Sequence, residues 1–86
     1  LSTGFGRENG WIAVHQYRGM PYEHYFRGVE TIMDDYGGRP HWGKLHFQHA
    51  DTLRERYPEW DTFAAARDRL DPDRTFRNPY LNQILA

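Results

Sequence analysis

Cysteine is absent from these 86 residues. Without a thiol the chain can build neither a disulfide framework nor a thiolate-bound metal site. The same absence leans towards a reducing compartment, so a cytoplasmic location is expected. Charge of one sign is lacking too: eleven Lys and Arg face twelve Asp and Glu, a formal net charge of −1. That balance excludes the basic footprint of a nucleic-acid binder. No apolar run approaches the roughly 20 residues of a membrane-spanning helix, and no charged-then-apolar signal opens the sequence. There is no GxGxxG after a strand, no P-loop, no GxSxG and no HExxH. Length is short as well: a chain of this size hides only about 60% of its unfolded surface, which leaves a marginal core.

What is abundant is aromatic: three Trp, six Tyr and five Phe make up 16% of the residues. Such rings carry large apolar area and favour interfaces and flat-ligand sites. In so hydrophilic a chain they are expected to be covered by something outside these residues. Leu1-Ser2-Thr3-Gly4-Phe5-Gly6 has neither cap nor leader logic and reads as a cut through a longer protein.

Residues 1–10 read as a Gly-rich loop. Trp11, Ala13, His15 and Tyr17 alternate with Ile12, Val14, Gln16 and Arg18, a period of two that predicts a strand ending at Gly19. Pro21 suits the first turn of a helix. Tyr22, Tyr25, Phe26, Val29, Ile32, Met33 and Tyr36 then recur at helical spacing, and Gly37-Gly38 supplies the stop. Residues 39–47 are expected to form a second strand entered through Pro40. A weaker helix is placed around residues 49–56, broken by Tyr57-Pro58. A third runs from Pro58 to Leu70, ended by Asp71-Pro72, and a last short one spans residues 79–86. The predicted class is therefore α+β: a strand-helix-strand piece of an antiparallel sheet with flanking helices over residues 1–48, followed by a helical segment over residues 49–86. No internal repeat or low-complexity linker interrupts this order.

The segment densest in chemistry is Gly38-Arg39-Pro40-His41-Trp42-Gly43-Lys44-Leu45-His46. A lysine held beside Trp42 and His41 can place fixed positive charge against an anionic centre, and desolvation by the indole strengthens its field. Gly43 allows close backbone approach or a bulge, and a bulge there would bring His41 and Lys44 to one side. The plainer reading keeps Lys44 as a solvated strand lysine and Trp42 as a core ring. His15, between Trp11 and Tyr17, reads either as a hydrogen-bonded core residue or as a base facing a ligand. His41, His46 and His49 lack the spacing and carboxylate partners of a metal site, so none is expected. Asp71 and Asp73 read as turn formers, Phe76 and Tyr80 as plugs against a neighbouring layer, and Arg67-Asp68-Arg69 as a solvated face.

The run from Gly38 to Lys44 closely resembles the HWGK or HWAK signature of the aldonolactone oxidases, whose relatives include alditol oxidase and which belong to the vanillyl-alcohol oxidase group of flavoproteins. Ile12 to Tyr17 is similar to the strand that precedes that signature. Tyr57-Pro58-Glu59-Trp60, Phe63, Arg67, Leu70-Asp71-Pro72, Phe76 and Asn78 match the closing pattern. The resemblance implies an FAD-dependent oxidoreductase that takes a hydride from the CH–OH group of a sugar lactone or polyol. It implies that residues 1–48 end a substrate domain and that residues 49–86 return to an FAD domain supplied by the rest of the polypeptide, the fragment alone being inactive. By the same resemblance Lys44 and His15 are the catalytic candidates, Tyr17 joins Lys44 in binding substrate, and His41, Trp42 and Asn78 lie against the cofactor. Tyr17 stands where alditol oxidase has Thr, which favours a lactone over a polyol. The alternative is a small non-catalytic interaction module that binds a partner chain through its aromatic surface.

Overall fold

A computed structural model of the chain describes residues 1–85. It contains helices α1 (Glu23–Asp35), α2 (Ala50–Arg54), α3 (Trp60–Leu70) and α4 (Pro79–Leu85). Among the described residues there is no strand, which corrects the expected α+β class with its antiparallel sheet. The helical half of the expectation stands close to where Pro and Gly placed it. Both predicted strands fail for a physical reason: alternation says which side chains share a face, whereas a strand needs a neighbour to receive its N–H and C=O groups. Residues 11–17 run without regular structure and without such a ladder. In residues 39–47, Pro40 lacks a donor, and the Lys44 N–H bonds the His41 carbonyl at 3.0 Å, closing a turn. Gly43 therefore sits in a turn and not in a bulge.

Each helix ends on identifiable chemistry. After α1, Gly37 adopts φ +63°. Its N–H reaches the Asp34 carbonyl at 3.0 Å, while that of Gly38 reaches Met33 at 2.8 Å, the Schellman pattern. A Cβ on Gly38 would lie 2.9 Å from the Met33 carbonyl oxygen, so glycine is required there by space. At the start of α2, the His49 N–H donates to Thr52 Oγ1 at 3.2 Å, and the Thr52 hydroxyl donates to Gln48 Oε1 at 2.8 Å. Asp71 stops α3 and takes the N–H groups of Thr75 and Phe76 at 2.7 and 3.1 Å, the expected turn-forming role. Desolvation opposes ionisation of Asp71, but these two N–H groups with Arg74 and Arg67 hold its carboxyl below the usual range. Asn78 caps α4 by accepting the Leu81 N–H at 2.8 Å, with Pro79 at the first helical position.

The core is small and lies in the second half. Ala50, Leu53, Tyr57, Trp60 and Ile84 are buried, with Leu1, Trp42, Leu81 and Leu85 packed at the edge. Leu53 and Ile84 are 0% exposed. Each such side chain stabilises by about 1.5–3 kcal/mol. α1 has no buried residue, although its apolar stripe is as predicted. The radius of gyration is 14.6 Å, against about 12 Å for a compact domain of this length. Accessible surface is 6937 Å², against about 5,400 Å² for a compact monomer of this mass. The difference is about twice the roughly 800 Å² that one partner contributes to a standard protein–protein interface. No helix of the described residues is long and apolar enough to cross a membrane.

Candidate functional site

The turn at residues 41–44 carries the candidate site. Its conformation follows from short-range bonds: the Lys44 N–H to the His41 carbonyl, and the Gly43 N–H to His41 Nδ1 at 3.0 Å. A Cβ on Gly43 would approach His41 Cε1 at 3.2 Å, so the imidazole folds over a position where a side chain is crowded. Trp42 is half-buried and faces the core. Its Nε1–H donates to the Tyr57 hydroxyl at 2.9 Å, the two rings meet edge-on at 5.8 Å, and Trp60 lies tilted at 6.4 Å. Burial pushes the Tyr57 hydroxyl up, partly offset by the Trp42 hydrogen bond and by Arg39, Arg56 and Arg7. With its indole anchored inward, the turn leaves His41 and Lys44 exposed. Lys44 is the single lysine of the sequence; the other ten basic residues are Arg.

Residues outside the signature hold this turn in place. Tyr80, from α4, donates its hydroxyl to the Trp42 carbonyl, and His46 Nε2 stands 2.8 Å from the same hydroxyl. Desolvation holds the His46 imidazole below its ordinary pKa and His49 adds to this, while Glu30 works against it. Burial and the neighbouring Tyr57 push the Tyr80 hydroxyl up, so it stays protonated and able to donate. Arg39 leads into the turn and is locked by its guanidinium, which donates to the carbonyls of Arg56 and Phe5, both at 2.7 Å. Arg56 in turn pairs with Asp34 at 2.7 Å and donates to the Gly38 carbonyl at 2.8 Å. Buried Gln48 joins α1 to the next segment, donating to Glu30 and, at 3.1 Å, to Asp34. Glu30 also receives the Phe47 N–H at 2.9 Å, and Arg27 lies 3.8 Å over the Phe47 ring. A groove of about 280 Å³ runs along this seam between Arg27 and Thr52.

His15 and Tyr17 are exposed on the N-terminal arm, Tyr17 at 84%. No hydrogen bond among the described residues joins either of them to Lys44. Asn78 has its side-chain oxygen engaged as the α4 cap. No cluster of three or more His, Asp or Glu side chains is placed to hold a metal among the described residues. Sequence reasoning missed the framing roles of Arg39, His46, Tyr57 and Tyr80. Arg39 and His46 border the signature and could have been suspected. The Tyr80 contact joins residues 38 apart, and no local pattern announces it.

Comparison with known proteins bears on what this turn belongs to. The family profile of D-arabinono-1,4-lactone oxidase matches residues 1–84. The chain belongs to that family. It is 68% identical over its whole length to an L-gulono-1,4-lactone dehydrogenase of Mycobacterium tuberculosis, covering 20% of that relative. It is 36% identical to the L-gulonolactone oxidase of Bos taurus over 98% of the chain and 20% of the relative. To the alditol oxidase of a Streptomyces species it is 41% identical over 69% of the chain and 14% of the relative. No solved structure matches. As a member of the D-arabinono-1,4-lactone oxidase family, the chain spans about a fifth of the length of the curated relatives it matches. Its exposed arm is consistent with a segment of a larger protein.

Proposed function

We propose that this chain supplies one wall of the substrate site in an FAD-dependent oxidoreductase that oxidises a CH–OH group of an aldono-1,4-lactone. The observation that carries the reading is the turn at residues 41–44: an anchored Trp42 with the chain's one lysine exposed beyond it, in a chain of the D-arabinono-1,4-lactone oxidase family. Oxidising a carbinol removes a hydride from carbon and a proton from oxygen. Lys44 binds the reacting oxygen and stabilises negative charge as that proton departs. His15 takes the proton, and Tyr17 contacts the sugar, once the arm is seated against the turn by the remainder of the polypeptide. His41, Trp42 and Asn78 lie on the cofactor side.

The chemistry of the turn supports a flavin as the group beside it. The turn offers an exposed cation and, beside it, an imidazole folded over Gly43 and bonded to its N–H. FAD, when bound, supplies the acceptor for the hydride. Residues 1–48 belong to the substrate-binding part, and residues 49–86 return to the part that binds FAD. The uncovered surface and the unpartnered rings support this division of labour, and an expanded chain of this kind does not favour a self-contained interaction module.

The test uses the full-length protein. Purified, it should be yellow with an FAD spectrum, and addition of L-gulono-1,4-lactone without oxygen should bleach it. A colourless protein that takes up no FAD would refute the reading.

A further inference from the structure

His46 lies between a donor, the Gln48 N–H, and the Tyr80 hydroxyl, and these two contacts fix its proton. Nδ1 accepts the Gln48 N–H at 3.2 Å. A nitrogen that accepts carries no proton in the neutral ring, so the hydrogen sits on Nε2. Nε2 stands 2.8 Å from the Tyr80 hydroxyl. That hydroxyl already gives its own proton to the Trp42 carbonyl, so it must accept from Nε2. The result is a one-way chain: the Gln48 N–H to the imidazole, the imidazole N–H to the phenol, the phenol O–H to the Trp42 carbonyl. The chain ends on the peptide linking Trp42 to Gly43, two residues before Lys44.

We propose that Tyr80 and His46 are positioning residues that set the tilt of this peptide and so the place where Lys44 presents its ammonium group. The inference rests on the reading of Lys44 given above. Two features separate this from ordinary packing. The indole of Trp42 is anchored independently by Tyr57 at 2.9 Å, so loss of the Tyr80 bond frees the backbone of the turn without freeing its ring. The tyrosine also comes from α4, in the segment whose helices make the core, and thus couples the turn to the rigid part of the chain.

The experiment is a double-mutant cycle in the full-length FAD-loaded protein with L-gulono-1,4-lactone. Tyr80→Phe keeps the ring and removes the hydroxyl, and turnover should fall about tenfold, as expected for a displaced catalytic group. In a Lys44→Ala background the same change should cause no further loss, because the group it positions is gone. An equal loss in both backgrounds would overturn the proposal, as would full turnover in Tyr80→Phe. His46→Gln combined with Tyr80→Phe should be no worse than the more damaging single change; additive losses would remove His46 from the chain. If Lys44→Ala alone left turnover untouched, the reading of Lys44 would fall first and this inference with it, an outcome distinguishable from additivity.

Discussion

The segment built on α2 and α4 and the segment from Trp11 to Tyr36 are both rich in aromatic residues, yet they use them in opposite ways. In the first, rings are packed and their polar tips paired: Trp42 with Tyr57, Tyr80 with the Trp42 carbonyl. In the second, Trp11 is 70% and Tyr36 80% exposed, and α1 has no fully buried residue. Aromatic content by itself therefore does not separate a core from a surface awaiting a partner. The bond from the Trp42 indole N–H to the Tyr57 hydroxyl marks the packed region, because burying such polar atoms is costly unless they are bonded. The candidate site falls where the two regions meet, with its signature turn fixed from the packed side.

The comparison can be broken most severely at its centre. Leu53→Ala should destabilise by about 2–5 kcal/mol, since a fully buried leucine leaves a cavity. Urea denaturation of the full-length protein followed by tryptophan fluorescence measures this, and a change below ~0.5 kcal/mol would mean that the small core does not hold the segment. Gly38→Ala should cost about 1–3 kcal/mol through overpacking against the Met33 backbone. Gly28→Ala, where no atom lies within 4 Å of the added Cβ, should raise α1 helicity by circular dichroism of the 86-residue chain. Equal effects at the two glycines would erase the distinction between the tight end of α1 and its open middle. Asn78→Ala should cost about 1 kcal/mol by removing the α4 cap, visible as a lower thermal midpoint.

The smallest effect concerns pH. Burial lowers the His46 pKa in the folded chain, so the unfolded chain binds the extra proton first. The stability this contributes is present above the unfolded value of about 6.5 and is lost as pH falls through the lower folded value. His46→Gln should flatten the acid side of the stability profile. An unchanged slope would show that His46 does not titrate differently on folding.

Much of the helical layout was legible. The apolar stripe ending in Gly37-Gly38 gave α1, Tyr57-Pro58 and Asp71-Pro72 bracketed α3, and Pro79 opened α4, because caps and breakers act within one turn of chain. The strands were not legible, since alternation is local and pairing is not. Residues 11–17 have the pattern without a neighbour, and the Lys44-to-His41 bond closes the second run into a turn. For the candidate site, the cluster from Arg39 to His46 could be singled out by composition. Its frame could not, because Tyr80 reaches Trp42 across 38 residues through a single hydroxyl. The helix face of Arg67, expected to be solvated, likewise turns out half-buried, donating to the Leu85 carbonyl at 3.2 Å.

The direct test of the whole account is the rate of flavin reduction by saturating L-gulono-1,4-lactone in full-length Lys44→Ala, followed by anaerobic stopped flow. Removing a cation that stabilises developing charge should slow this step by about a hundredfold or more, with FAD content unchanged. Reduction within a factor of about two of the unsubstituted protein, well inside what loss of one such donor produces, would contradict it.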